Sequence, residues 1–163
     1  FILQYLYMEK ALSLAYRFLS FRPRTVVEVE RYLQKKAEKY RITTDEINAA
    51  LELLKDQGYL NDLEFIGSFV NSRNSLKPKS KRVLELELKK LGVSQTDINT
   101  FFSKNPTDEI ALAQKALKKK VKSLLFIADE KKRFIKAISF LQRRGFSYDV
   151  SRETYNACFS IEK

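Results

Sequence analysis

The chain has 163 residues, enough for one ordinary domain or a few very small ones. It carries 31 basic and 20 acidic residues, and the resulting formal net charge of +11 raises the expectation of a polyanionic partner. Since it has no histidine and a single cysteine, Cys158, the composition excludes a zinc site, a Cys–His nucleophile and a histidine general base. We expect no metal, no cofactor and no small-molecule substrate.

The composition also favours helices along the whole chain. Glycine and proline number only four and three, while Lys, Leu and Glu are abundant. No apolar run approaches the roughly 20 residues that a membrane-spanning helix needs. Residues 1–8 are too short for a signal peptide and lack its basic leader. Cys158 lies in an apolar stretch typical of a buried small side chain in a reducing compartment. We therefore expect a cytoplasmic protein.

The first predicted elements are three helices between residues 11 and 62. An apolar stripe at helical spacing predicts the first helix, with Leu12, Ala15, Tyr16 and Leu19. Pro23 is expected where the second helix begins. An N–H at that position would have no helical partner, so proline, which lacks it, loses no hydrogen bond there. The third helix should open with a capping box, Thr43 to Glu46, and stop at Gly58.

Further along the chain the same pattern returns twice. The predicted helices are 65–73, 80–91 and 96–102 in the second unit, and 107–122, 129–144 and 149–159 in the third. Ser94 should cap the helix at 96–102, with Asp97 in the place of the usual glutamate. Gly92 and Gly145 stand where a helix end requires a positive φ.

Short motifs recur in one order and at one spacing. A motif that begins with leucine and two polar or basic residues occurs at 33–37, 88–92 and 141–145, so its copies are 55 and 53 residues apart. A proline-containing motif precedes the first two copies, at 22–25 and 77–80. This order predicts three tandem repeats. Their expected bounds are 11–62, 63–106 and 107–163, after an N-terminal extension at 1–10.

The expected fold class is therefore all-α, with three tandem three-helix, helix-turn-helix-like repeats. A bundle of three helices from about 50 residues buries too little surface to be stable on its own. Neighbouring repeats should share their flanks, and we expect an elongated or curved array.

These motifs resemble the RecX family of regulators of the RecA recombinase. The resemblance covers about residues 11–160 and depends on the order of its motifs. Residues 54–62 (LKDQGYLND) are similar to the family's L-x-x-x-G-x-[IL]-[ND]-D junction, and 140–146 (FLQRRGF) to its closing L-x-x-[RK]-G-[FY]. Family members usually carry glycine where Ala37 stands, so the helix there is expected to extend toward Arg41.

The resemblance implies a function and a partner. It implies a protein with no catalytic residue that binds along the groove of the RecA filament on single-stranded DNA. Such a protein opposes filament growth, ATP hydrolysis and strand exchange, and so acts in DNA repair, homologous recombination and the SOS response. We expect a monomer that contacts the RecA filament and single-stranded DNA, directly or through the filament, and no membrane.

Positive charge is concentrated in the second and third repeats. Residues 1–64 carry ten basic and ten acidic residues, 65–106 eight and three, and 107–163 thirteen and seven. Clustered lysines can bind DNA phosphates or an acidic groove without special geometry. The alternative is a solvated helix face, but the asymmetry exceeds what solubility requires. The candidate contact residues are Lys77, Lys79, Arg82, Lys115, Lys118, Lys119, Lys122, Lys132 and Arg133.

Among these candidates, Lys115, Lys119 and Lys122 have i, i+4, i+7 spacing, so a continuous helix would place them in one stripe. Phe146 and Tyr148 could stack on bases, but aromatic residues after a glycine more often close the helix end by packing, and we expect packing.

Other polar residues are expected to be structural. We expect Arg17 and Arg73 to bridge to a carboxylate such as Asp62. The adjacent Asp45 and Glu46 are explained by capping, so no catalytic constellation is predicted. The alternative function is a helical DNA-binding module acting without RecA. No repeat shows a recognition helix rich in Arg, Asn and Gln, which argues against it.

Overall fold

A computed structural model describes residues 2–159, and side chains from Glu9 onward. All regular structure in this range is helical, as predicted. The helices are α1 Ile2–Leu19, α2 Val26–Tyr40, α3 Thr44–Asp56, α4 Asp62–Leu76, α5 Lys81–Lys90, α6 Gln95–Lys104, α7 Glu109–Lys118, α8 Val121–Leu125, α9 Glu130–Gln142 and α10 Tyr148–Phe159.

The helix starts are set by side-chain caps. The predicted capping box of Thr43 and Glu46 is confirmed at the start of α3. Thr25 and Glu28 form a second box, which sets the first residue of α2 at Val26. The prediction that α2 begins at Pro23 was therefore wrong by three residues. In α6 the Ser94 Oγ accepts from the Asp97 backbone N–H at 3.0 Å, which confirms the predicted cap.

The helix ends follow the predicted glycines. Gly58, Gly92 and Gly145 have φ of 77°, 90° and 90°. In the first repeat, where Ala37 replaces the glycine, α2 continues to Tyr40 and Arg41 takes the left-handed conformation with φ 54°. The expected extension toward Arg41 is thereby confirmed.

The first helix of the third repeat is broken. The sequence predicted one helix at 107–122, but α7 ends at Lys118 and α8 begins at Val121. Lys119 is the C-cap of α7, and Lys120 has a φ of −112°. Cations at a helix C-terminus interact favourably with the helix dipole. The run of lysines at 118–120 therefore suits the end of a helix better than its middle.

The described chain packs as two compact units. Unit 1 comprises the chain up to Gly67 and Leu88–Phe101, and unit 2 comprises Ser68–Glu87 and the chain from Phe102 onward. The three boundaries between the units fall within α4, α5 and α6, so each unit combines an outer repeat with part of the middle one. The repeat bounds and the elongated array expected from the sequence stay predictions.

Each unit has its own apolar core. In unit 1 the core includes Ala15, Leu33, Leu51 and Leu54, with Leu12, Tyr16 and Leu19 of the predicted stripe packed against it. In unit 2 it includes Ala113, Leu117, Ile138, Leu141 and Phe146. Cys158 is half-buried beside this second core, and burial raises the pKa of its thiol.

Successive repeats meet at a contact that occurs once in each unit, which we call the repeat joint. In unit 1, the buried Thr25 hydroxyl donates to the Leu91 carbonyl at 2.6 Å. A Cβ on Gly92 would overlap with the Val27 side chain. In unit 2, the Ser80 backbone N–H donates to the Arg144 carbonyl at 3.0 Å, and a Cβ on Gly145 would overlap with Val83. The start of one repeat's second helix thus packs against the end of the next repeat's second helix.

Candidate nucleic-acid and partner interface

All nine predicted contact residues lie in unit 2. This unit contains 19 basic and nine acidic residues, whereas unit 1 contains 12 and 11. Nearly the whole positive excess of the chain therefore belongs to one compact unit. A polyanion would be attracted to this unit rather than to the other.

Lys115, Lys118 and Lys122 are exposed and make no ion pair or hydrogen bond in the described part of the chain. Lys115 and Lys118 border an open cavity of about 560 Å³ between α7 and α10, whose wall includes Cys158. These two ammonium groups are available to an anionic partner.

The predicted stripe of Lys115, Lys119 and Lys122 was wrong. The break after Lys118 places Lys122 on a separate helix. The Lys119 Nζ donates to the carbonyls of Ser75 and Leu76 at 3.2 and 2.9 Å, at the end of α4. A cation at these carbonyls stabilises the helix end, so Lys119 has a structural contact of its own.

Lys79 is also held within the protein. Its ammonium group pairs with Glu87, which in addition accepts a hydrogen bond from Arg73 Nε at 2.9 Å. Burial alone would raise the pKa of Glu87, but the hydrogen bonds from Lys79 and Arg73 outweigh it and lower that pKa. Arg73 thus has the expected structural role with a different carboxylate.

Asp62 makes a different contact from the predicted bridge to an arginine. Its Oδ1 accepts from the Val26 backbone N–H at 3.0 Å, at the start of α2. Burial raises the pKa of Asp62, and the hydrogen bond from Val26 opposes that rise. The Arg17 side chain is exposed, and the structure describes no bridge from it to Asp62.

The remaining candidates differ in exposure. The guanidinium of Arg133 is 5.5 Å above the Phe159 ring and donates to the Tyr155 hydroxyl at 3.3 Å, so it packs inside unit 2. Lys132 is exposed, with its Nζ 3.7 Å from an Asp129 oxygen. Lys77 and Arg82 are exposed.

The two aromatic residues after Gly145 have different environments. Phe146 is buried, and its backbone N–H donates to the Leu141 carbonyl, so the predicted packing at the helix end is confirmed for it. Tyr148 is 48% exposed, so the same prediction was wrong there. Since Phe146 already fills the apolar contact of the helix end, Tyr148 has no equivalent place to pack.

The described side chains can bind a partner through charge and hydrogen bonds. They include no cluster of three or more Cys, Asp or Glu that could hold a metal ion. None of the helices whose residues are described combines the length and apolar character needed to cross a bilayer.

The fold and the charge define a class of protein. It is an all-α chain of repeated three-helix elements, with one strongly basic unit. Three RecX family models match it: the first three-helix domain at residues 11–54, the second at 61–100 and the third at 107–154. The chain belongs to the RecX family.

Individual relatives agree with this assignment. The regulatory protein RecX of Bacillus pumilus is 34% identical over 149 residues, which cover 88% of this chain and 53% of the relative. The regulatory protein RecX of Vibrio campbellii is 34% identical over 104 residues, covering 64% of this chain and 65% of the relative. The chain thus spans about half the length of the Bacillus pumilus relative.

Solved structures share the fold. The crystal structure of RecX from Lactobacillus salivarius has a TM-score of 0.75 and 23% identity, covering 93% of this chain and 96% of that one. A second crystal structure, of a regulatory protein RecX, has a TM-score of 0.72 and 21% identity, covering 95% of this chain and 74% of that one.

Proposed function

We propose that this chain is a negative modulator of the RecA recombinase. It binds in the groove of the RecA filament on single-stranded DNA and opposes filament growth, ATP hydrolysis and strand exchange. The matches to regulatory proteins named RecX support this proposal. The observation that carries it is the concentration of exposed, uncompensated positive charge in unit 2.

The contact residues we propose are those that the fold leaves available. They are Lys77, Arg82, Lys115, Lys118, Lys122 and Lys132. Phosphate contacts need a mobile or exposed cation, and each one contributes to the salt dependence of binding. Lys79, Lys119 and Arg133 are engaged inside the unit, so we expect them to support the surface rather than to contact the filament.

The direct experiment measures ATP hydrolysis and strand exchange by RecA on single-stranded DNA while this protein is added. We expect both rates to fall at equimolar or lower ratios of protein to RecA. Unchanged rates over a wide concentration range, with helical content confirmed by circular dichroism, would refute the RecA proposal. DNA binding that persisted in that case would favour a helical DNA-binding module acting without RecA.

A matched pair of variants tests the contact surface. The first replaces Lys115, Lys118 and Lys122 of unit 2 by Glu, and the control replaces Arg31, Lys35 and Lys39 of α2 in unit 1 by Glu. All six side chains are exposed, so both variants should remain folded, and both change the net charge equally.

We expect only the unit 2 variant to weaken binding to the filament. For this variant, the slope of the logarithm of affinity against the logarithm of salt concentration should decrease by about one unit per lost phosphate contact. Equal weakening by both variants would mean that net charge alone determines binding. No weakening by either would remove these lysines from the interface.

A further inference from the structure

An open cavity of about 690 Å³ lies on unit 2, and its wall includes none of the lysines of α7 and α8. Its wall includes Lys81 and Arg82 at the start of α5, Gln142 at the end of α9, and Tyr148 at the start of α10. Its volume lies in the range of about 300–1,000 Å³ that is usual for clefts binding small organic groups.

Tyr148 is an exposed aromatic residue in the wall of this cavity. The residue is about half exposed, and its hydroxyl has no hydrogen-bond partner in the described part of the chain. The Arg152 guanidinium is 5.9 Å from the ring centroid, at the outer limit of a cation–π contact. A planar group can therefore stack on this ring without displacing a strong contact.

The charges of the cavity wall leave one cation free. Glu109 accepts the Lys81 backbone N–H at 2.6 Å, and Glu85 is 3.8 Å from the Lys81 ammonium group. Glu109 and Lys81 are thus engaged within the wall, and the separation of Glu85 from Lys81 corresponds to a loose ion pair. The Arg82 guanidinium has no partner among the described residues, and a guanidinium binds phosphate through two parallel hydrogen bonds.

Two helix starts also border the cavity. Arg82 is the second residue of α5 and Tyr148 is the first of α10. At both starts the chain supplies acceptors of its own: the Ser80 Oγ accepts the Val83 N–H at 3.4 Å, and the Ser147 Oγ accepts the Val150 N–H at 3.2 Å. With the Lys81 N–H accepted by Glu109, the anion-binding group of this wall is the Arg82 side chain.

We propose that this cavity binds one nucleotide of single-stranded DNA, with its base stacked on Tyr148 and its phosphate at Arg82. The Gln142 amide, with donors and an acceptor, can bond to the edge of whichever base is present. Stacking on an aromatic ring tolerates every base, so the site should not select a sequence. This inference rests on the phosphate contacts of the proposed function being made directly to DNA, and does not depend on RecA.

The test measures binding of a labelled oligothymidylate, and of a fully abasic strand of equal length, by fluorescence anisotropy without RecA. We expect Tyr148→Ala to weaken oligothymidylate binding by about fivefold or more, the loss of one stacked base, and to leave abasic binding unchanged. Tyr148→Phe, which keeps the ring, should bind both strands like the original chain. Arg82→Glu should weaken binding to both strands, since both contain phosphate.

Equal effects of Tyr148→Ala on the two strands, or no effect on either, would overturn the stacking site. Binding of thymidine monophosphate as tight as that of the oligonucleotide would overturn the assignment to a DNA strand. In each of these cases the ATP hydrolysis assay still tests the RecA proposal independently. Absence of DNA binding by the original chain would overturn this site and the direct DNA contact together.

Discussion

Replacing Gly92 by alanine tests whether the repeat joint depends on the absence of a side chain. The new methyl group would overlap with Cβ of Val27 and lie 2.6 and 2.9 Å from its two methyl carbons. Because the backbone fixes the position of Cβ, rotation of the valine cannot relieve the overlap. The φ of 90° adds the cost of a left-handed conformation. Together these effects should destabilise the protein by about 2–4 kcal/mol.

Gly58→Ala is the matched control, because Gly58 has a φ of 77° but no atom within 4 Å of the added methyl group. It should cost only about 1 kcal/mol, from the backbone conformation alone. The measurement is the free energy of unfolding in urea, followed by circular dichroism. If Gly92→Ala proves no more destabilising than Gly58→Ala, the close packing of Val27 on Gly92 does not exist in solution.

Two further variants follow from the same structure. Gly67→Ala should stabilise the protein by about 0.5–1 kcal/mol in urea unfolding, because Gly67 is inside α4 and its new methyl group would meet Phe101 at an ordinary 3.7 Å; a loss of stability would contradict this packing. Glu87→Gln should cost about 1–2 kcal/mol at neutral pH. The pKa of Glu87 is lowered from 4.5 in the folded protein. The difference in free energy of unfolding between the original chain and the variant should therefore be full above pH 4.5, and it should disappear as the pH falls through the folded pKa. Glu85→Gln is the control, and an equal pH-dependent loss there would contradict a special role for Glu87.

The sequence predicted features that depend on neighbouring residues. The capping box of Thr43 and the left-handed glycines follow from residues a few positions apart. The longer α2 was expected from the resemblance, because Ala37 stands where family members usually carry glycine. The capping box of Thr25 has the same spacing to Glu28 and could have been recognised in the same way. Its presence would have corrected the start of α2.

Features that depend on distant residues could not be predicted. Lys119 bonds to carbonyls more than 40 positions away, and helical periodicity contains no information about such a partner. Arg133 is packed against Tyr155 and Phe159 on another helix. Charge clustering identified the basic region, but the choice between a free cation and a structural one depends on tertiary contacts.

The repeat joints also bear on the order of folding. Thr25 and Leu91 are 66 residues apart in the chain, and Ser80 and Arg144 are 64 apart, whereas each helix and its cap form from local contacts. Contacts between distant residues close large loops and carry a higher entropic cost during folding. We therefore expect the joints to close after the helices have formed. A substitution at a joint should then chiefly accelerate unfolding and leave the folding rate nearly unchanged.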